Sequence, residues 1–357
     1  MSGHKSSFQE IPVIDLALAD DPASLLTLLS ALRIALTDVG FLYISNHKVS
    51  QQAIQNLVDI LPRLFALPDS AKKAAALENS KHFLGYSGAG TETTNGQADL
   101  REQIEFATEL TAVSDPDAPL YEGLRGPNQW PTELPELQPI VEEYISELTL
   151  LGERFLILVA QALDLPIHTF ESFLSDQHRL KMVHYSAVSP GSDGQGVGPH
   201  KDSSGWWTFL LQASPPSVKG LQVLNKAGNW IDVPVIPGTL VVNIGQAFEV
   251  VTHGVCKATI HRVLSSGDER FSIPFFQGVR RDLTKSEALE SLKDHFSTFR
   301  RDAGRESEES KVIDSPFLHG KYDTWGENQL RTKIRSHRIN GQKFYPTVYR
   351  QYIEDDA

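Results

Sequence analysis

Two histidines and one aspartate offer a set of metal ligands. His200 and Asp202 stand two residues apart in Gly198-Pro199-His200-Lys201-Asp202, just ahead of the apolar run Trp206-Trp207-Thr208-Phe209-Leu210-Leu211. Side chains two apart in a strand leave on the same face, so both can reach one cavity while Lys201 points away. His261 lies in a second β-like run, Ala258-Thr259-Ile260-His261-Arg262-Val263. Two imidazoles and a carboxylate on one side of a metal leave its other positions open, the donor pattern of non-haem Fe(II) oxygen chemistry. The same donors suit Zn(II), so a metal-dependent hydrolase is another reading. It needs a general base near the metal water, and the sequence offers no clear one. Arg270 and Ser272, again two apart, would present a guanidinium and a hydroxyl to a carboxylate lying beyond the metal. No catalytic group is expected beyond the metal ligands.

The elements that must position these residues fall into two stretches. In the first, Ile11 to Leu16 reads as a strand, and Leu25, Leu26, Leu29, Leu32 and Leu36 recur at helical spacing up to Gly40, which is placed to end that helix. Phe41 to Ile44 reads as a second strand. Ser50 is an N-cap for a helix through Leu61, with Pro62 bending or ending it, and another helix follows Pro68. Ser87 to Asp99 is rich in Gly and Thr without periodicity and reads as a mobile loop. Leu137 to Leu163 carries the longest helical pattern and needs a sheet to cover.

In the second stretch, short apolar runs are separated by turn residues: 181–188, 206–212, 221–224, 230–235, 239–244, 258–264 and 271–276. Such runs indicate a β-sandwich or barrel. Gly267-Asp268 predicts a hairpin joining the His261 and Arg270 strands. Ser189-Pro190-Gly191 marks another turn. Thr298 to Lys311 has few apolar residues and reads as exposed or loose. Trp325, Leu330 and Ile334 predict a terminal helix near Tyr322 to His337. The boundaries expected are 11–130 for an N-terminal helix-and-strand region, 178–280 for a β core and 281–357 for a C-terminal helical extension.

The 357 residues carry a formal charge of −12, which argues against a nucleic-acid-binding surface. No stretch reads as a signal segment or as long and apolar enough to span a bilayer. Cys256 is the only cysteine and reads as a small buried residue. A monomer in a reducing, cytoplasmic setting is expected, without nucleic-acid or membrane partners.

At His200, Asp202, His261, Arg270 and Ser272 the sequence resembles the Fe(II)- and 2-oxoglutarate-dependent dioxygenases, in the subgroup of isopenicillin N synthase and the plant flavonoid and gibberellin oxidases. The likeness extends through Gly40 to His47, Gly85-Tyr86-Ser87, Gly220 to Val223, Trp230 to Pro234, Gly238 to Gly245 and His261-Arg262-Val263, in that order. It implies a mixed α and β chain with a double-stranded β-helix core, a distorted jelly roll related to the cupins, flanked by N- and C-terminal helices. It implies Fe(II), 2-oxoglutarate and O₂ as the working set. The keto acid would chelate the iron, with its far carboxylate on Arg270, helped by Ser272 and Tyr185. His184 stands where the family often has Asn there or just before. The implied activity is oxidation of a C–H bond of a small organic molecule, in a setting such as secondary metabolism. An oxidase of the isopenicillin N synthase type, which takes no 2-oxoglutarate, is the alternative, and a non-catalytic cupin-like binder is the bland one.

The remaining expectations concern the surroundings. Trp206, Phe276, Tyr86, Phe83 and Phe106 are candidate substrate contacts, with Trp206 foremost, and Trp207 a further aromatic of that kind. His47, His178, His184 and His253 read as structural or exposed. Asn243 and Gly245 read as strand-end geometry. Arg262, on the opposite strand face from His261, reads as a fold-stabilising charge. Segments 87–99 and 322–337 are expected to close over the substrate.

Overall fold

The computed structural model describes residues 7–94, 97–188, 195–203, 205–302 and 313–354. Its strands are β1 (Val13–Asp15), β2 (Phe41–Ser45), β3 (Gly85–Ser87), β4 (Thr93–Thr94), β5 (Gln97–Ala98), β6 (Glu102–Ala107) and β7 (Arg179–Tyr185). They continue with β8 (Gln195–His200), β9 (Trp207–Gln212), β10 (Leu221–Leu224), β11 (Trp230–Asp232), β12 (Thr239–Ile244), β13 (His261–Leu264) and β14 (Arg270–Phe276). A large sheet runs β1-β2-β12-β9-β14-β7-β6-β3, and a smaller one runs β11-β10-β13-β8. The two sheets share a hydrophobic cluster: Tyr43, Val183, Leu210 and Val241 from the large one meet Val197, Leu221, Val223 and Val263 from the small one. This is the double-stranded β-helix that the resemblance implied. N-terminal strands β1, β2, β3 and β6 complete the large sheet, so the first and second stretches share one sheet.

The large sheet is apolar on both faces, and its strand β9 shows why. Trp207, Phe209 and Leu211 enter the main core, while Leu210 enters the cluster between the sheets. The outer face is covered by α1 (Pro22–Ile34), α2 (Gln51–Phe65) and α4 (Leu137–Ala162), while α3 (Asp69–Ala74) reaches β6 through Lys72 and Glu102. Helix α4 buries Val141, Tyr144, Leu148, Leu151, Phe155 and Val159, three or four residues apart, as a helix on a sheet requires. Phe155 meets Trp207 and Phe209 edge-on at 5.1 and 5.7 Å. Burying a side chain of that size contributes roughly 1.5–3 kcal/mol.

Local chemistry explains the helix ends. The Ser50 hydroxyl accepts from the Ala53 amide at the start of α2. Pro62 lies inside α2 rather than ending it, and the helix runs on to Phe65. Gly40 adopts the left-handed conformation (φ 73°) after a π turn at Ala35–Val39, and a Cβ there would stand 2.1 Å from the Lys257 carbonyl oxygen. The segment Pro22–Val39 is long and apolar enough, by length and composition, to cross a bilayer, contrary to the sequence reading; a third of it is buried against the fold.

Three expectations change. The His261 and Arg270 strands are not a hairpin: β13 pairs with β8 and β10, β14 with β7 and β9, and the 265–269 link crosses from one sheet to the other. A sandwich closes by such crossings, which a turn signature does not distinguish from a hairpin. Segment 87–99 is not featureless, for β4 and β5 pair within it. After α5 (Gln246–Val251), α6 (Lys285–Glu290), α7 (Lys293–Asp302) and α8 (Pro316–His319), the predicted terminal helix appears as α9 (Trp325–Ser336). It is followed by α10 (Arg338–Phe344) and α11 (Pro346–Glu354), which the sequence reading did not place. The Ser189-Pro190-Gly191 turn and most of the 298–311 stretch lie outside the described residues.

Candidate metal centre and charged cavity

His200 and His261 face each other across the β8–β13 ladder, their ring centroids 4.3 Å apart. Asp202 lies just past the end of β8, so strand alternation alone does not place it. Its backbone carbonyl accepts from the Gln246 amide at 2.9 Å, which holds the turn. The carboxylate Oδ1 comes within 3.6 Å of His200 Nε2 and 3.5 Å of His261 Nε2. The three ligand atoms all lie within 4.8 Å of one another.

The surroundings orient these donors. His200 Nδ1 contacts the Gly198 carbonyl at 2.8 Å and His261 Nδ1 the Thr259 carbonyl at 3.1 Å. A carbonyl only accepts, so each Nδ1 bears the hydrogen and each Nε2 offers its lone pair. Asp202 Oδ2 accepts from Thr208 Oγ1 at 2.5 Å and Asn243 Nδ2 at 2.7 Å, which turns Oδ1 toward the imidazoles. Burial pushes the Asp202 carboxyl up, but the two imidazoles outweigh it and hold it well below the usual carboxylate range. Asn243, read from sequence as strand-end geometry, therefore positions a ligand candidate.

Arg270 opens into the same cavity, of about 360 Å³. Its guanidinium lies 4.9 Å from the Tyr185 ring centroid, and its Nη2 reaches Gln212 Oε1 only at 3.5 Å. Nη1 is buried with no partner among the described residues. Tyr185 and Gln212 are the guanidinium's only polar neighbours among the described residues; a buried guanidinium without a carboxylate is costly, and a ligand carboxylate relieves that cost. Ser272 and Tyr185 line the same cavity. The donor set and the free Nη1 of the guanidinium thus fit a divalent metal and an anionic chelate.

The aromatic expectations divide. Phe276 lines this cavity. Trp206 does not: it is fully buried against Phe170, Phe173 and Phe248. Trp207 also lies in the core. Phe83 stacks on Tyr345 in a cluster with the C-terminal helices, and Phe106 stacks on Trp130 in the core. Tyr86 lines a different cavity and donates to Glu102 at 2.6 Å. Trp206 and Phe83 lie outside the strands, and Trp207 and Phe106 leave their strands on the core face, so these side chains do not line the metal cavity. His184, between Glu102 and Glu269 and stacked on Phe271, is structural as expected. Arg262 donates to Gln222 and covers the Trp230 ring at 4.0 Å.

The sequence reading missed a charged wall. Arg179 and Lys181 alternate along β7 with buried Leu180 and Met182, and Glu105 of β6 stands opposite Lys181. Glu105 accepts from Arg179 Nη1 at 2.6 Å and from Lys333 of α9 at 2.8 Å on each oxygen. Burial raises its carboxyl, yet Lys333, Arg179 and Lys181 together hold it well below the usual range. Burial brings Lys333 down to about 8, while its contacts to both oxygens of Glu105 favour the ammonium. Arg101 pairs with Glu92 at 2.9 Å and Asp99 at 3.4 Å. Helix α9 also closes on the metal side, where Gln329 donates to the Ser203 carbonyl at 2.7 Å. The visible signal was the alternation of charge with apolar residues in Arg179-Leu180-Lys181-Met182.

The comparisons with known proteins agree with this geometry. The family model for the N-terminal part of a non-haem dioxygenase in morphine synthesis matches residues 11–133, and that of the 2OG-Fe(II) oxygenase superfamily matches residues 177–279. The chain is 40% identical to the 2-oxoglutarate-dependent dioxygenase frbJ of Dothideomycetidae sp. (strain 11243), over 96% of this chain and 94% of the relative. It is 33% identical to a 2-oxoglutarate-dependent dioxygenase of Gibberella zeae, over 99% and 95%. Among solved structures, a full-length Neurospora crassa protein crystallised in complex with alpha-KG shares the fold with a TM-score of 0.68 at 23% identity, covering 94% of this chain and 96% of that one.

Proposed function

The chain belongs to the 2OG-Fe(II) oxygenase superfamily, and on that footing we propose which of its residues carry the reaction. The enzyme is an oxidoreductase that uses Fe(II), 2-oxoglutarate and O₂ to oxidise a C–H bond of a small organic molecule, releasing succinate and CO₂. The iron supplies oxygen activation when bound; the protein supplies position and the exclusion of side reactions.

His200 and His261 hold the iron through Nε2 and Asp202 through Oδ1. Thr208 and Asn243 keep Asp202 turned so that one oxygen faces the metal. Arg270 takes the far carboxylate of 2-oxoglutarate, assisted by Ser272, with Tyr185 lying against the guanidinium. Phe276 forms part of the substrate wall. Segment 325–336 closes the cavity through Gln329 and Lys333. The observation that carries this assignment is the convergence of three ligand atoms within 4.8 Å in a cavity that also holds a buried guanidinium whose Nη1 has no partner among the described residues.

We also propose a monomer working in the cytoplasm without a nucleic-acid partner. The charge of −12 supports the last point by repelling polyanions, and the buried position of the sole cysteine is compatible with a reducing setting.

The test is anaerobic titration of the apo-protein with Fe(II) and then 2-oxoglutarate, following the visible metal-to-ligand charge-transfer absorption. The band is expected in the wild type and absent in His200→Ala. Tight Fe(II) binding without a band would overturn the cosubstrate assignment.

A further inference from the structure

The cavity has two cationic regions, and the cosubstrate can occupy only one. Arg270 pairs with Tyr185 across the β14–β7 ladder, and Ser272 with Val183. Lys181 lies four residues along β7 from Tyr185, or about 13 Å at strand rise. The second region is level with the metal. Asn243 and Thr208, which hold Asp202, share a rung of the sheet with Phe276 and Arg179. A molecule placed over the metal and away from Arg270 therefore meets β7, β6 and α9.

The charges there do not balance among the described residues. Arg101, Arg179, Lys181 and Lys333 face or line the cavity. Three carboxylates answer them: Glu105 holds Arg179 and Lys333, while Glu92 and Asp99 hold Arg101. Lys181 only shares these carboxylates: its ion pairs to Glu92 and Glu105 are both 3.8 Å long, too far for a hydrogen bond. Arg101 Nε is buried and also without a partner. Four cations against three anions leave the cluster one positive charge in excess, and Lys181, the cation without a carboxylate at hydrogen-bond distance, can turn its ammonium hydrogens to the cavity. Glu105 is a poor partner for a substrate ammonium, because Lys333, Arg179 and the nearby Lys181 already surround its single charge.

We infer that the substrate is a small organic acid whose carboxylate is bound by Lys181, with Arg101 and Lys333 beside it, while its apolar portion lies against Phe276, Pro274 and Leu210. This rests on the iron and cosubstrate assignment above, since that assignment fixes which end of the cavity is left for substrate. The cavity must hold 2-oxoglutarate as well, so the acid is small. Lys181 thus determines specificity: it binds the substrate and takes no part in oxygen activation. The carboxylate completes the charge balance of the wall, which a neutral analogue leaves uncompensated.

The test uses the full-length protein and four six-carbon probes: hexanoate, hexanamide, hexylamine and hexyl phosphate. Each is titrated into the anaerobic complex with Fe(II) and 2-oxoglutarate, following the perturbation of its charge-transfer band. Hexanoate is expected to perturb the band saturably, at least tenfold more tightly than hexanamide or hexylamine. Lys181→Gln should weaken hexanoate about tenfold or more while leaving the half-saturation for 2-oxoglutarate unchanged, and Lys181→Arg should restore part of the loss. Equal binding of hexanamide, an unaffected hexanoate titration in Lys181→Gln, or no response to any probe would each overturn the inference. Tighter binding of hexyl phosphate would overturn the carboxylate in favour of a phosphate ester. Hexanoate binding is also read by thermal shift on the iron-free protein. A missing charge-transfer band would sink the cosubstrate assignment, and the thermal shift would still decide whether the Lys181 wall takes an acid.

Discussion

Replacing Arg270 with leucine separates cosubstrate binding from metal binding. The residue is 2% exposed, its guanidinium reaches Gln212 only at 3.5 Å, and one of its nitrogens has no partner among the described residues. The ligand-free protein therefore already bears the desolvation of this cation, and a bidentate carboxylate gains most of the interaction on binding. Two charge-assisted hydrogen bonds at about 1.5–3 kcal/mol each give a total of about 3–5 kcal/mol after non-additivity. At about 1.4 kcal/mol per decade, Arg270→Leu should weaken 2-oxoglutarate by about a hundred- to a few thousandfold. Fe(II) affinity should change less than about twofold, because Arg270 touches none of the ligand candidates. Folding stability should barely change, since a leucine of similar volume replaces a poorly partnered buried cation. The assay is the anaerobic titration, with Fe(II) affinity and melting temperature measured on the same preparation. Parallel loss of Fe(II) and 2-oxoglutarate affinity, or a large drop in melting temperature with cosubstrate affinity intact, would refute the reasoning and make Arg270 a structural cation.

Further expectations address other parts of the fold. Asn243→Ala removes one of the two donors to Asp202 Oδ2 and should weaken Fe(II) binding about ten- to a hundredfold, as measured by competition with a chromogenic chelator. His184 is pushed down by burial, but its bonds to Glu102 and Glu269 win and raise its pKa. A raised pKa means that its stabilisation is full below the unfolded value of about 6.5 and is lost as pH rises through the folded value. The melting-temperature gap between wild type and His184→Gln should therefore narrow above about pH 6.5, and a gap that widens there would contradict the ion pair. Phe155→Ala opens a cavity between α4 and the large sheet and should cost about 3–5 kcal/mol in urea unfolding, with no direct effect on the metal ligands.

Much of the fold was legible where one local rule dominates. The Ser50 cap, the left-handed Gly40 and the three- and four-residue spacing in α4 each follow from backbone geometry within one element. Helix α9 was legible from Trp325, Leu330 and Ile334, whereas α10 and α11 were not, because each is short and they pack mainly on one another and α9. The hairpin between β13 and β14 failed because a turn sequence reports chain reversal and says nothing of which sheet receives the next strand. Trp206 failed as a substrate contact because nearness in sequence to Asp202 does not decide the side on which a side chain leaves the chain.

The sequence by itself determined the ligand types, their order along the chain and the cationic partner for a carboxylate. Residue chemistry and a two-residue spacing are local properties, and the family likeness rests on them. Only the tertiary structure decided that His261 meets His200 across a ladder, that Asn243 and Thr208 turn Asp202, and that Lys333, 228 residues from Glu105, closes a charged wall beside the metal. Such contacts depend on which strands pair and on which helix returns to the cavity. Burial then sets their strength, because a charge excluded from water interacts with its neighbours far more strongly than it would on an open strand.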